Sequence, residues 1–218
     1  MGRASPPAKG AGIRNLLEVE DFYALTRQLV AWRTDPTVAQ LHKDHGKGLA
    51  LAFVRGLRLA ARLVYVLRKS LSSAGVEVDW GHVVTPEGLC SRECDIIVHR
   101  PGHKERWNGH EKPVMDFAFI EHADVVAVIS CKSQVRSIDS EYCKDMRPHV
   151  KDILLFGECC NPAGVERLRK RAADAGYKGF WYLYTYDPTT EECVEDPEVW
   201  GAFLERCKSL CAEAVPRA

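Results

Sequence analysis

An uninterrupted apolar run, Val125-Val-Ala-Val-Ile129, constrains the fold more than any other stretch of the sequence. Four of its five residues are β-branched, which favours a strand, and the absence of alternation indicates that both faces of the strand are buried. Ser130, Cys131 and Lys132 follow directly. Because strand side chains alternate between faces, we expect Ser130 and Lys132 on one face and Cys131 on the other. A lysine that closes a buried strand is costly unless it has a partner or a function.

The segments before this strand combine helical and strand patterns. After a tail (residues 1–12) and an amphipathic helix (15–32), the sequence predicts a helix over 47–73, a hairpin of strands 76–84 and 94–99, a loop over 100–112 and a short edge strand at 117–120.

The second half alternates more regularly. We expect a helix from Ser137, a strand over 152–156 that ends at a Gly157 turn, a helix over 162–175, a strand over 179–186 and a last helix over 198–213. This order predicts an α/β fold whose mixed sheet has an antiparallel hairpin first, parallel crossovers later and helices on its flanks. Residues 13–218 should form a single domain, since 218 residues suffice for one sizeable core.

Composition narrows the classes of partner. Lys plus Arg and Asp plus Glu both number 30, so any nucleic-acid surface has to be a local patch. No apolar stretch reaches the length of a membrane span and no signal peptide is evident, so we expect a cytoplasmic protein without a membrane partner. In that compartment the nine cysteines should be reduced thiols.

Two charged residues lie at the ends of neighbouring predicted strands. Asp95 opens the second strand of the hairpin and Lys132 closes the central strand, so adjacent strands would bring them to one edge of the sheet. A carboxylate can hold a divalent ion there, while an ammonium group stabilises the charge of a reacting phosphate. A plain salt bridge between strand ends is the simpler alternative.

The sequence around Asp95 and Lys132 resembles that of a known protein superfamily. The run Ser91-Arg-Glu-Cys-Asp-Ile-Ile-Val98, followed by Val125-Val-Ala-Val-Ile-Ser-Cys-Lys-Ser133 and a helix, resembles the PD-(D/E)XK nuclease superfamily of restriction-endonuclease-like proteins. The resemblance covers about residues 45–186, where helix, three strands, helix and strand follow in that superfamily's order. It implies a restriction-endonuclease-like sheet and a Mg²⁺- or Mn²⁺-dependent nuclease that hydrolyses DNA. It also implies bacterial defence against foreign DNA as a role and a homodimer as the assembly. By this match Asp95 is the metal-binding aspartate and Lys132 the catalytic lysine.

Two positions depart from the superfamily pattern. Its second carboxylate, two residues before the lysine, is Ser130 in this chain, and the helix before the hairpin contains no acidic residue. Three acids could compensate: Glu93 would share a strand face with Asp95, and Asp139 and Glu141 lie in the helix after Lys132. Some similar restriction enzymes with Ser/Thr-x-Lys recruit a glutamate from the following helix, as Glu141 could do, although it could equally complement that helix's N-terminus. The candidate metal ligands are therefore Asp95, Glu93 and Glu141, and Lys132 and Ser130 complete the candidate catalytic set.

Basic residues provide candidate contacts to nucleic acid. Arg55, Arg58 and Arg62 form one stripe of the long helix, which is either a solvated face or a phosphate contact. Arg136 lies at the mouth of the expected site, and Gln134 could orient a substrate.

A second class of function remains open on the same residues. Ser130 and the acid-free helix favour a catalytically degenerate nuclease-fold module that binds nucleic acid, a nucleotide or a partner protein. Acyl transfer through Cys131 is weaker, because Cys131 should face away from Lys132 and no histidine is placed beside it.

Overall fold

The computed structural model describes residues 27, 30–31, 49–102, 104–106 and 117–214. The predicted tail lies outside these residues; of the predicted first helix, residues 27, 30 and 31 are described and helical. The elements are α1 (Leu49–Ser70), β1 (Glu77–Val84), β2 (Cys94–His99), β3 (Lys104–Arg106), β4 (Phe117–Glu121), β5 (Val125–Val135), α2 (Ser140–Met146), β6 (Ile153–Cys160), α3 (Val165–Ala175), β7 (Phe180–Asp187), β8 (Glu192–Glu195) and α4 (Pro197–Ala214). No described helix is long and apolar enough to cross a membrane.

The strands form one mixed sheet in the order β3-β4-β1-β2-β5-β6-β7-β8. β1 and β2 form the predicted antiparallel hairpin, and β2 pairs antiparallel with β5. β5, β6 and β7 are parallel neighbours, joined by crossovers through α2 and α3. The predicted α/β fold with an antiparallel start and parallel crossovers is therefore confirmed.

Helices cover both faces of the sheet, and each face has its own core. One core joins α1 and α4 to side chains that include Ile129 and Phe156. The other core joins α2 and α3 to side chains that include Val128 and Leu155. Neighbouring residues of β5 thus enter different cores, which explains why its sequence is apolar without alternation.

The central strand does not end where the sequence predicted. β5 continues past Lys132 to Val135, and β6 continues alongside it through Gly157, which pairs with Lys132 and forms no turn. A Cβ atom on Gly157 would lie 2.6 Å from Val135 Cγ2, so this glycine permits close packing. The prediction was wrong because the extension of β5 is polar and carries no hydrophobic pattern.

Two short strands were also missed. β3 lies in the predicted 100–112 loop and covers β4, so β4 is not an edge strand as predicted. β8 pairs antiparallel with β7 at the other edge of the sheet. Both strands are short and β8 is largely exposed, as is common for strands at the edges of sheets. Such short segments have too little hydrophobic periodicity to be predicted from the sequence.

Gly81 provides a test of how β1 is held between its neighbours. Its φ is +151°, and a Cβ atom there would overlap the Ala118 carbonyl group of β4. We expect Gly81→Ala to lower the free energy of unfolding by about 3 kcal/mol or more, since a clash between backbones cannot be relieved by a rotamer change. Gly75→Ala is the matched control: φ is +65° with nothing within 4 Å, so only strain of about 1 kcal/mol should remain. Equal losses in chemical denaturation would contradict the close approach as the cause.

Candidate active site

An open cavity of about 470 Å³ lies at the edge of the sheet where β2 begins and β5 passes Lys132. Its wall from α1 is small and apolar, and consists of Gly56, Leu57 and Ala60. The remaining lining is mostly polar and includes Trp80, Arg92, Glu93, Asp95, Lys132, Gln134, Asp139 and Tyr142. The two residues that the superfamily resemblance singles out, Asp95 and Lys132, thus line the same cavity.

Asp95 is tied to the central strand. Its Oδ2 accepts a hydrogen bond of 2.7 Å from the Cys131 backbone N–H. Ile96 pairs with Ile129, so the register extended by one residue sets Asp95 opposite Ser130, on the face shared with Lys132. Burial raises the pKa of the Asp95 carboxyl, against the lowering effects of the Cys131 N–H and the Lys132 charge. A desolvated carboxylate of this kind favours a nearby cation.

Glu93 supplies a second carboxylate to the cavity. Trp80 Nε1 donates a 2.8 Å hydrogen bond to Glu93 Oε1, which fixes the side chain at the mouth of the cavity. The negative charge of Glu93 also raises the pKa of Asp95. The two carboxylates therefore interact, and a divalent cation between them would relieve their repulsion.

Ser130 lies beneath the cavity and does not line it. Its side chain is fully buried, and no hydrogen bond of ordinary geometry reaches its Oγ in the described part of the chain. The hydroxyl is close to the Asp95 carboxylate and the Tyr177 hydroxyl, and it lowers the pKa of both. Ser130 thus supports Asp95 from below, where a larger acidic side chain would have to displace packed neighbours.

The helix after Lys132 brings a different acid to the cavity from the one that the sequence favoured. Glu141 is largely exposed, pairs with Lys144 at 2.9 Å and does not line the cavity. Asp139 does line it, and its Oδ1 caps α2 by accepting from the Tyr142 backbone N–H at 3.0 Å. Asp139 was named with Glu141 as an acid of this helix, and an aspartate at the start of a helix is a recognisable N-cap.

Tyr142 was not predicted at all. It lines the cavity, and its buried hydroxyl forms no hydrogen bond of ordinary geometry with the described residues. Burial raises its pKa well above the usual range, so the group stays a neutral proton donor. The Arg92 guanidinium lies 5.8 Å from the centre of the ring. The sequence gives no signal for this role, because a tyrosine in a helix usually belongs to the core.

The candidate nucleic-acid contacts differ in their position relative to the cavity. Arg58 and Arg62 do not line the cavity, since α1 faces it with other residues, and the side chain of Arg55 lies outside the described residues. Gln134 does line it, and its Oε1 accepts hydrogen bonds from Arg136 Nε (2.9 Å) and Nη2 (2.7 Å). Arg136 itself lines a neighbouring crevice.

A second cluster of metal-ligand types lies at the far end of the hairpin. Ligand atoms of Glu77, Asp79 and His99 lie within 4.8 Å of one another. His99 is four residues from Asp95, or roughly 13 Å along β2, so this cluster does not belong to the cavity.

Hydrogen bonds indicate what this second cluster holds. Asp79 Oδ1 accepts from Arg68 Nη2 at 2.7 Å, and Asp79 Oδ2 lies 3.0 Å from His99 Nε2. His99 Nδ1 faces the Arg100 carbonyl oxygen at 2.8 Å. Both ring nitrogens of His99 therefore face oxygen atoms, and Arg68 balances the charge of Asp79.

The raised pKa of Asp95 predicts a pH-dependent cost to stability. A folded pKa above the unfolded value of 3.8 means that the folded state binds the proton more tightly, so stability falls as pH rises through that window. We therefore expect Asp95→Asn to be more stable than the parent at neutral pH, because the amide oxygen of the substituted side chain can still accept from the Cys131 N–H. The gain in Tm should be roughly 2–4 °C per kcal/mol and should vanish below the unfolded pKa. Thermal unfolding in EDTA across pH measures it, and a gain that is the same at every pH would exclude this origin.

Comparisons with known proteins identify the fold. No protein-family model matches the chain, and the search of curated proteins gave no significant match. Solved structures of NucC, a PD-(D/E)XK-type nuclease of anti-phage defence, do match. The cAAA-bound form from E. coli MS115-1 has 11% identity and a TM-score of 0.60, with 95% of this chain and 93% of that chain covered. The cAAA-bound form from P. aeruginosa ATCC27853 has 12% identity and a TM-score of 0.59, with 94% and 93% covered.

The apo form from E. coli MS115-1 is similar at 12% identity and a TM-score of 0.50, with 82% of this chain and 91% of that chain covered. At such identities the likeness shows the fold alone. It agrees with the superfamily that the Asp95 and Lys132 motifs resemble. The chain therefore has a restriction-endonuclease-like fold.

Proposed function

We propose that this protein is a metal-dependent nuclease that hydrolyses DNA phosphodiester bonds. The observation that carries the proposal is the convergence of Asp95, Glu93 and Lys132 on one open cavity of a restriction-endonuclease-like sheet. A role in bacterial defence and assembly into a homo-oligomer follow from the likeness to NucC and are part of the proposal.

The donors that line the cavity fit a hard divalent cation. Asp95 and Glu93 offer carboxylate oxygens, and each already uses one oxygen in a hydrogen bond that fixes its orientation. Asp139 offers a third carboxylate, also oriented by one hydrogen bond, although the three carboxylates do not all bring an oxygen within 4.8 Å of one another. Oxygen ligands of this kind suit Mg²⁺ or Mn²⁺, whose chemistry when bound is to polarise a phosphate and lower the pKa of water. Glu141 remains a proposed ligand only if its side chain leaves Lys144.

The chain's own residues suggest how a phosphodiester would be handled. The Lys132 ammonium group is a cation at the cavity and would stabilise negative charge on a reacting phosphate. Tyr142 would contribute the wall of the cavity, since its buried hydroxyl lies beside the Cys94 thiol. Ser130 would act indirectly, from its buried position beside Asp95.

A second function has its own supporting observation. The α1 wall of the cavity carries no acid, and the position of the superfamily's second carboxylate is the buried Ser130. Both features favour a module that binds nucleic acid, a nucleotide or a partner protein without cutting. Because two neighbours are cAAA-bound forms, cAAA is the nucleotide to test first.

Cleavage assays decide between the two functions. We expect plasmid DNA to be cut with Mg²⁺ or Mn²⁺ and spared in EDTA, and we expect Asp95→Ala and Lys132→Ala to lower the rate at least about a hundredfold. Lys170→Ala is the matched control, since it removes an exposed lysine of α3 that does not line the cavity. The assays should include DNA and RNA, each with and without cAAA. Retained binding with no cleavage under any of these conditions would favour the binding module.

The two glutamates are expected to differ. Glu93→Gln should weaken Mg²⁺ binding about tenfold or more, because Glu93 faces Asp95, whereas Glu141→Gln should change it little. Trp80 donates to Glu93, so its fluorescence offers a local report of metal binding besides calorimetry. Greater loss in Glu141→Gln would instead support recruitment of that glutamate from α2.

A further inference from the structure

A second crevice of about 530 Å³ lies beside the candidate active site, beyond the carboxyl ends of β5 and β6. It shares one lining residue, Gln134, with the first cavity. Two arginines on different elements line it, Arg136 after β5 and Arg167 on α3, and no acidic residue lines it. Crevices at the carboxyl ends of parallel strands are common ligand sites in open α/β sheets.

Both arginines are available to an anion. Arg136 donates to Gln134 Oε1 through Nε and Nη2, which fixes the guanidinium plane and leaves its other N–H groups for a ligand. Arg167 extends over the Gly164 turn, where a Cβ atom would lie 3.9 Å from its Nη2. Within residues 49–102, 104–106 and 117–214, neither guanidinium forms an ion pair with an acid. The acid of the first turn of α3, Glu166, pairs with Arg169 instead, at 2.7 Å.

The end of the helix is not what makes this crevice attractive to anions. The Ala163 N–H is already bonded to Asn161 Oδ1, and the Gly164 N–H to the Asn161 carbonyl. The positive potential comes from the two guanidinium groups, which suit the oxygens of a phosphate.

The geometry relates the crevice to the first cavity. Lys132 and Gln134 lie on one side of β5, and two hydrogen bonds to Gln134 Oε1 hold the Arg136 guanidinium beside them. Lys132 and Arg136 are four residues apart, or at most roughly 13 Å along the chain. We propose that Arg136 and Arg167 bind a backbone phosphate of the nucleic-acid strand, a few nucleotides from the phosphate at Lys132. This inference rests on the proposed function, because it takes that cavity as the place where the strand is engaged.

The proposal is tested by measuring binding of labelled oligodeoxythymidylates of increasing length by fluorescence anisotropy. EDTA is present so that the strands stay intact. For strands long enough to span both cavities, Arg136→Ala and Arg167→Ala should each weaken binding about fivefold near 0.1 M salt. Each should also reduce the slope of log K against log salt by about 0.7. A dinucleotide should bind all variants alike. Arg171→Ala is the matched control, since Arg171 is an exposed arginine of the same helix that does not line the crevice.

Gln134→Ala separates positioning from charge. It should weaken binding of long strands while leaving the salt slope unchanged, because it frees the Arg136 guanidinium without removing its charge.

The same assay contains the outcomes that overturn the proposal. A loss that is independent of strand length, or equal in Arg171→Ala, would reduce the effect to general electrostatics. Competition by cAAA at the affinity of the long strands would assign the crevice to a small nucleotide instead. This assay measures binding and not cleavage, so its outcome is independent of the cleavage assays. Length-dependent binding together with no cleavage in those assays would refute the proposed nuclease and leave this inference standing.

Discussion

The hydrogen bond between Asp95 and the Cys131 backbone N–H joins the chemistry of this protein to its core. β2 and β5 pair antiparallel through their apolar residues, and that register brings Asp95, near the start of β2, beside Ser130 and Cys131 of β5. Asp95 can therefore neither withdraw into solvent nor move away from Lys132 without breaking the central pairing. The carboxylate stays desolvated, and this raises its pKa because the charged form is destabilised. A bound cation would stabilise that charged form.

The pairing of β2 with β5 also determines where the cavity opens relative to the helices that cover the two faces of the sheet. α1 and α4 cover one face with a core of large apolar side chains, while α2 and α3 cover the other. The cavity opens where α1 presents Gly56, Leu57 and Ala60 and where α2 begins with its Asp139 cap. Polar groups gather at this edge because the sheet continues there beyond its helical cover. The buried Asp95 carboxylate costs stability, which is the usual relation between a functional site and the fold that carries it.

The polar extension of β5 has a comparable role in the second crevice. Ser130 and Lys132 belong to the edge of the core, whereas Gln134 and Arg136 lie where the strand projects past it. Side chains on one side of a strand are evenly spaced. A strand that extends beyond the hydrophobic core can therefore present several regularly spaced side chains to a nucleic-acid strand. The buried Glu77–Asp79–His99 cluster at the opposite end of the hairpin is a charge network inside the fold, stabilised by Arg68.

The sequence by itself determined the layout of helices and core strands, because apolar residues that must be buried repeat with the period of each element. The order of elements, the hairpin, the parallel crossovers and the meeting of Asp95 with Lys132 all follow from that pattern. Only the tertiary structure decided where strands end, since the polar continuation of β5 is held by pairing with β6 and carries no period of its own. It also decided that Asp139 and Tyr142 line the cavity while Glu141 points to solvent. Which of these side chains face the cavity depends on the orientation in which the short helix α2 packs against the sheet. The spacing of residues along the chain does not determine that orientation.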